Sequence, residues 1–114
     1  MQNKPINEDK LTTAVIDFGE IRNGQLNESW LAMFGGWVEH ILKAMFGGAD
    51  IPVTVRGTRQ EIDSYARVLS KEKRYIEAFQ EYGLDNPNTY RSKYALDKAV
   101  SQFERKTGVP WPFV

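Results

Sequence analysis

The strongest constraint in this chain is a pair of helix signals separated by a very short link. Thr58-Arg59-Gln60-Glu61 is a capping box, in which a threonine oxygen and a glutamate carboxylate reciprocally satisfy backbone N–H groups at a helix start. Apolar residues at Ile62, Tyr65, Ala66, Leu69, Ile76 and Phe79 follow at helical spacing, broken only by Glu72 and Lys73, and Gly83 supplies a stop. Asp85-Asn86-Pro87-Asn88 is a turn, and Asn86 with Pro87, or Thr89, starts the next helix. Its stripe is Leu96, Ala99, Val100 and Phe103, and Gly108 with Pro110 ends it. Helices over 58–82 and 87–107 with so short a link fold back as an αα-hairpin. Phe79 is expected in the core, with Leu84 folded onto it in a Schellman ending. The tail Trp111-Pro112-Phe113-Val114 cannot be helical around its prolines, which leaves Trp111 and Phe113 extended and able to reach a neighbour.

A third helix is predicted over 27–46. Asn27 is its cap, and Trp30, Leu31, Phe34, Trp37, Val38, Ile41, Leu42 and Met45 form a broad apolar face. Gly35-Gly36 interrupts it at a cost of about 2 kcal/mol relative to two alanines. A kink, or close approach of another backbone, is the expected reason for the pair. The string Ala32-Met33-Phe34-Gly35-Gly36 recurs as Ala44-Met45-Phe46-Gly47-Gly48, where the glycines end the helix. Thr12–Phe18 and Ile51–Arg56 are β-branched and strand-like, with an Asn23-Gly24 turn after the first and Pro52 at the start or edge of the second. The two could pair. Residues 1–10 read as a loose arm. The expected class is α+β, mostly α, with three helices and a small two-stranded β element. The expected organisation is an N-terminal arm with a short strand over 1–26 and a compact helical domain over 27–114.

Composition narrows the function classes. Fifteen basic residues balance fifteen acidic ones, so no global field draws the protein to nucleic acid or membrane. The halves differ mildly: residues 1–50 carry four basic and seven acidic side chains, and residues 51–114 carry eleven and eight. Without cysteine, disulfides, thiolate chemistry and sulfur-ligated zinc are excluded. Met1-Gln2-Asn3-Lys4-Pro5 leads into polar sequence with no apolar h-region, so no secretory signal is expected. Glu39, His40 and Lys43 interrupt the most apolar stretch, so no transmembrane segment is expected.

No catalytic constellation emerges. His40 is the sole histidine, and neither Glu39 beside it nor the cationic Lys43 one turn on would orient it as a base. Carboxylate pairs such as Glu77 and Glu81 are interleaved with lysine and arginine, as on a wet salt-bridged face. Phosphate loops, EF-hand and HExxH spacings and nucleophile elbows are absent, so no cofactor or metal is expected. Arg67, Lys71, Lys73 and Arg74, with Arg91, Lys93 and Lys98, form a basic cluster interleaved with Tyr75, Tyr90 and Tyr94. Such residues suit phosphate contacts and base stacking, although Glu72, Glu77 and Asp97 dilute the field. Arg67, Lys71, Arg74, Arg91 and Lys93 are the candidate nucleic-acid residues. Three tryptophans, six phenylalanines and five tyrosines exceed what a small core needs. Phe34, Gly35, Gly36, Trp37, Trp111 and Phe113 are the candidate partner-binding residues.

The stretches Val55-Arg56-Gly57-Thr58 through Glu72-Lys73-Arg74-Tyr75, Tyr82-Gly83-Leu84-Asp85-Asn86-Pro87, Tyr90-Arg91-Ser92-Lys93-Tyr94 and Trp111-Pro112-Phe113 resemble small uncharacterised proteins of tailed bacteriophages. The resemblance covers about the last sixty residues and carries no functional residues with it. It implies a multi-copy virion or assembly component, in the virion or host cytoplasm, that touches itself or larger structural proteins. The leading expectation is therefore a non-enzymatic structural or interaction protein. One alternative is a small nucleic-acid-associated protein using the basic helices, and another is a membrane-surface protein acting through the helix over 30–46.

Overall fold

A computed structural model describes residues 14–22, 27–48 and 53–113. Along those residues run β1 (Ala14–Asp17), α1 (Gly19–Arg22), α2 (Glu28–Phe46), β2 (Val53–Arg56), α3 (Arg59–Tyr82) and α4 (Pro87–Thr107). The class is α+β and mostly helical, as read from the sequence. The expected arm over residues 1–10, the Asn23-Gly24 turn and Pro52 lie outside the described residues. The chain divides into two compact units, Met1–Gly57 and Thr58–Val114. β1 pairs with β2, so both strands belong to the first unit.

In the first unit β1 and β2 are parallel, with Ala14 opposite Val53 and Ile16 opposite Val55. A parallel pair needs a long crossover, and α2 lies within it. Asp17 ends the strand and accepts the Gly19 N–H at 2.8 Å, which starts the short α1. Asn27 caps α2 as expected, its side chain accepting the Trp30 N–H at 2.9 Å. Ile16 and Phe18 are buried, and Phe18 meets Trp30 and Phe34 at ring centroid distances of 6.5 and 6.1 Å. Trp30 and Phe34 stack at 5.2 Å, one helical turn apart. Val38, Ile41 and Leu42 continue the buried face of α2. The Trp30 indole N–H donates to Glu20 on α1 at 2.7 Å, so this large ring is buried with its polar atom satisfied.

The second unit is the αα-hairpin. Lys106, at the end of α4, reaches Gln60 at the start of α3, and Thr89, at the start of α4, reaches Ala78 near the end of α3, so the helices run antiparallel. Both halves of the Thr58 capping box are present: Thr58 Oγ1 accepts the Glu61 N–H at 3.1 Å, and Glu61 Oε1 accepts the Thr58 N–H at 2.8 Å. Asn86 caps α4 with Pro87 in its first turn. Tyr65, Val68, Leu96, Ala99, Phe103, Val109 and Trp111 are buried.

The inner face of α3 differs from the expected stripe. It runs through Glu61, Tyr65, Val68 and Glu72, with Ser64 and Ala78 beside it. Ile62, Leu69 and Ile76 are only half-buried, and Phe79 is 44% exposed. Two carboxylates join the inner face because each accepts a fixed hydrogen bond there, which lowers the cost of burial. At the hairpin link the packed groups are small: the Thr89 hydroxyl donates to the Gly83 carbonyl at 2.6 Å. Phe79 stays outside. Gly83 has φ 82° and ψ 178°, which is not the left-handed helical geometry of a Schellman ending, and Leu84 is 63% exposed. Gly108, at φ 76° and ψ 9°, does adopt it, and Val109 after it is fully buried.

Candidate functional site

The tail after Gly108 is held by side chains at three points. Val109 donates its N–H to Thr107 Oγ1 at 3.1 Å, Trp111 donates its backbone N–H to Glu104 Oε2 at 2.9 Å, and the Trp111 indole donates to Glu72 Oε2 at 2.8 Å. The indole packs against Phe103 at 5.2 Å and Tyr65 at 6.3 Å. Trp111 is 1% exposed. It is a core residue of the second unit and not the free surface aromatic expected from the tail, because these contacts replace the helical bonds that proline forbids. Phe113 is exposed and stands edge-on to Trp111 at 6.3 Å. Burial raises the Glu72 carboxyl above its ordinary range, while the Trp111 hydrogen bond and the Lys93 charge act in the opposite direction. Burial alone drives the Tyr65 phenol well above its ordinary value.

Of the candidate partner-binding residues on α2, Phe34 is also internal, 1% exposed within the Phe18–Trp30–Phe34 ring cluster. Gly35 is half-buried. Gly36 and Trp37 remain at the surface, where they line an open, largely apolar hollow with Ala32, Met33 and His40. Met33 is exposed and Trp37 lies 5.9 Å from the His40 ring. Apart from its chain neighbours and the adjoining backbone of α2, a Cβ placed on Gly36 meets no described atom within 4 Å. Close packing by the described residues, one expected reason for this glycine, is therefore absent at Gly36.

The basic residues fall on distinct faces. Arg67, Lys71, Lys98 and Gln102, with Ala95 and Ala99, line one opening along the α3–α4 seam. A second adds Gln60, Asp63, Ser64 and Lys106 to Arg67 and Gln102, and a third joins Lys98 and Gln102 to Asp97, Ser101 and Arg105. Arg74 and Arg91 are exposed and extend the same helical rows, seven residues from Arg67 and from Lys98. Lys93, five residues before Lys98, lines none of these openings. It is bound to Asp97 at 2.8 Å, a contact that raises its pKa. Gln102, Arg105 and Lys106 were not among the candidates, yet their spacing from Lys98, at four, seven and eight residues, was the available signal.

Among the described residues no group of three or more His, Asp or Glu could hold a metal ion, and no helix is long and apolar enough to cross a membrane. The face of α2 with the most apolar bulk, through Trp30, Phe34, Val38, Ile41 and Leu42, is buried and not presented to a surface. No family model, curated protein or solved structure matches the chain.

Proposed function

We propose that this is a non-enzymatic interaction protein that assembles through the outer face of α2, as a multi-copy bacteriophage virion or assembly component. The observation that carries the assembly reading is Gly36. A glycine inside a helix costs about 1 kcal/mol relative to alanine, and no described residue occupies the space a side chain would fill. The neighbouring surface is apolar and includes Met33 and the half-buried Trp37. A second copy laid across Gly36 would approach α2 closely and cover those side chains, which accounts for both features. The bacteriophage setting rests on the resemblance of the C-terminal residues alone. Light scattering over a range of protein concentrations tests the assembly. A mass that rises above 13.1 kDa is the expected result, and 13.1 kDa at every concentration contradicts it.

A further inference from the structure

Unit-wide charge conceals a one-sided arrangement on the αα-hairpin. Arg67, Lys71, Lys98 and Lys106 line two openings along the seam between α3 and α4, Arg105 lines a third on the adjoining face of α4, and Gln102 lines all three. None of these five cations forms an ion pair with a described residue. The two carboxylates at the seam are already engaged, Asp63 with Arg59 and Asp97 with Lys93. Three other acids of the unit are drawn into backbone or indole hydrogen bonds: Glu61 to the Thr58 N–H, Glu72 to the Trp111 indole and Glu104 to the Trp111 N–H. Five cations against two carboxylates leave the lining of these openings with an excess of positive charge although the whole chain is neutral.

The dimensions suit a single strand of phosphates. With 1.5 Å of rise per residue, the row from Lys98 to Arg105 spans about 10 Å, and with Arg67 and Lys71 on α3 it makes a short track for a few successive phosphates. An aromatic ring lies beside the track. Tyr94 is 66% exposed, and the Lys98 ammonium sits 5.6 Å from its centroid. A line of cations next to an open ring is the combination that holds phosphodiester backbone while a base stacks. A rigid duplex would use the charges and leave the ring without a partner.

We infer that the α3–α4 seam binds single-stranded nucleic acid without sequence preference, with Arg67, Lys71, Lys98, Arg105 and Lys106 on the phosphates, Gln102 between them and Tyr94 as the stacking platform. This surface lies on a different unit from the α2 hollow and stands independently of assembly.

Fluorescence anisotropy of a labelled 12-nucleotide oligothymidylate, titrated with the full chain at about 50 mM salt, reads the binding directly. The expected affinity falls with salt, with a logarithmic slope of about −3 for four or five neutralised phosphates. The double variant Arg67→Gln/Lys98→Gln should bind at least about tenfold more weakly and make that slope shallower by about 1.4. Lys73→Gln, at a residue that lines none of these openings and pairs with Glu77, should stay within about twofold of the parent. Tyr94→Ser should weaken the oligonucleotide several-fold more than it weakens heparin, which has charge but no base. Circular dichroism confirms that each variant is folded. The inference is overturned by no binding at 50 mM salt, by equal affinities of the parent and the double variant, or by duplex of the same length binding as tightly as the single strand.

Discussion

The indole N–H of Trp111 donates to Oε2 of Glu72 at 2.8 Å, joining residues 39 apart in the chain. That bond makes a proline-bounded tail part of the core and gives a buried carboxylate a partner. Trp111→Phe keeps most of the ring volume and removes the donor. It should cost about 2 kcal/mol in denaturant unfolding, chiefly by leaving Glu72 without its hydrogen bond. Trp111→Ala should cost about 3–5 kcal/mol, near the whole stability of a small unit. A loss under 1 kcal/mol for the alanine variant would show that the tail is not core.

Glu72 gives the unit a definite pH response. Its carboxyl titrates above its ordinary value in the folded state, so the folded protein holds this proton at pH values where the unfolded chain has released it. Stability from this group is full below the unfolded pKa and is lost as pH rises through the folded pKa. Gln at this position cannot ionise. The stability of Glu72→Gln minus that of the parent should therefore grow between pH 4 and pH 7, as measured by urea midpoints. A difference that shrinks over that range would reverse the assigned direction.

Phe79 and Phe103 test the orientation of the hairpin. Phe103→Ala, at a fully buried position, should cost about 3–5 kcal/mol. Phe79→Ala, at a largely open one, should cost about 1 kcal/mol or less. Thermal or chemical unfolding of the two variants separates them, and equal losses would place Phe79 inside.

The α3 start is local and should behave so. Thr58→Ala removes the acceptor for the Glu61 N–H and should cost about 1 kcal/mol. An unchanged denaturation midpoint would contradict the capping box.

The contrast between these residues shows what was legible in the sequence. Helix limits were readable because caps are local: Asn27, Thr58 and Asn86 each bond within three residues. Helix phase was harder, because Glu72 looks polar until Trp111 is known to satisfy it from 39 residues away. The tail misled for the same reason. Its prolines excluded a helix but did not reveal the bonds to Thr107, Glu104 and Glu72. Both strands were visible in their β-branched residues, while the parallel sense of the pair depends on the crossover containing α2. At the candidate sites, proximity in sequence grouped Lys93 with Arg91, whereas helical phase sends it to Asp97 and leaves Lys98, Gln102 and Arg105 with Arg67.

Gly36 carries the central claim, and one substitution tests it. Because its Cβ direction is open, Gly36→Leu should fold, with a helix at least as stable as the parent's. The same side chain would obstruct a close approach across α2. Sedimentation velocity on the parent and Gly36→Leu at equal concentrations is the direct measurement. The predicted result is a folded, 13.1 kDa monomer for the variant where the parent is a larger species. A folded variant with the parent's assembled mass would contradict the account.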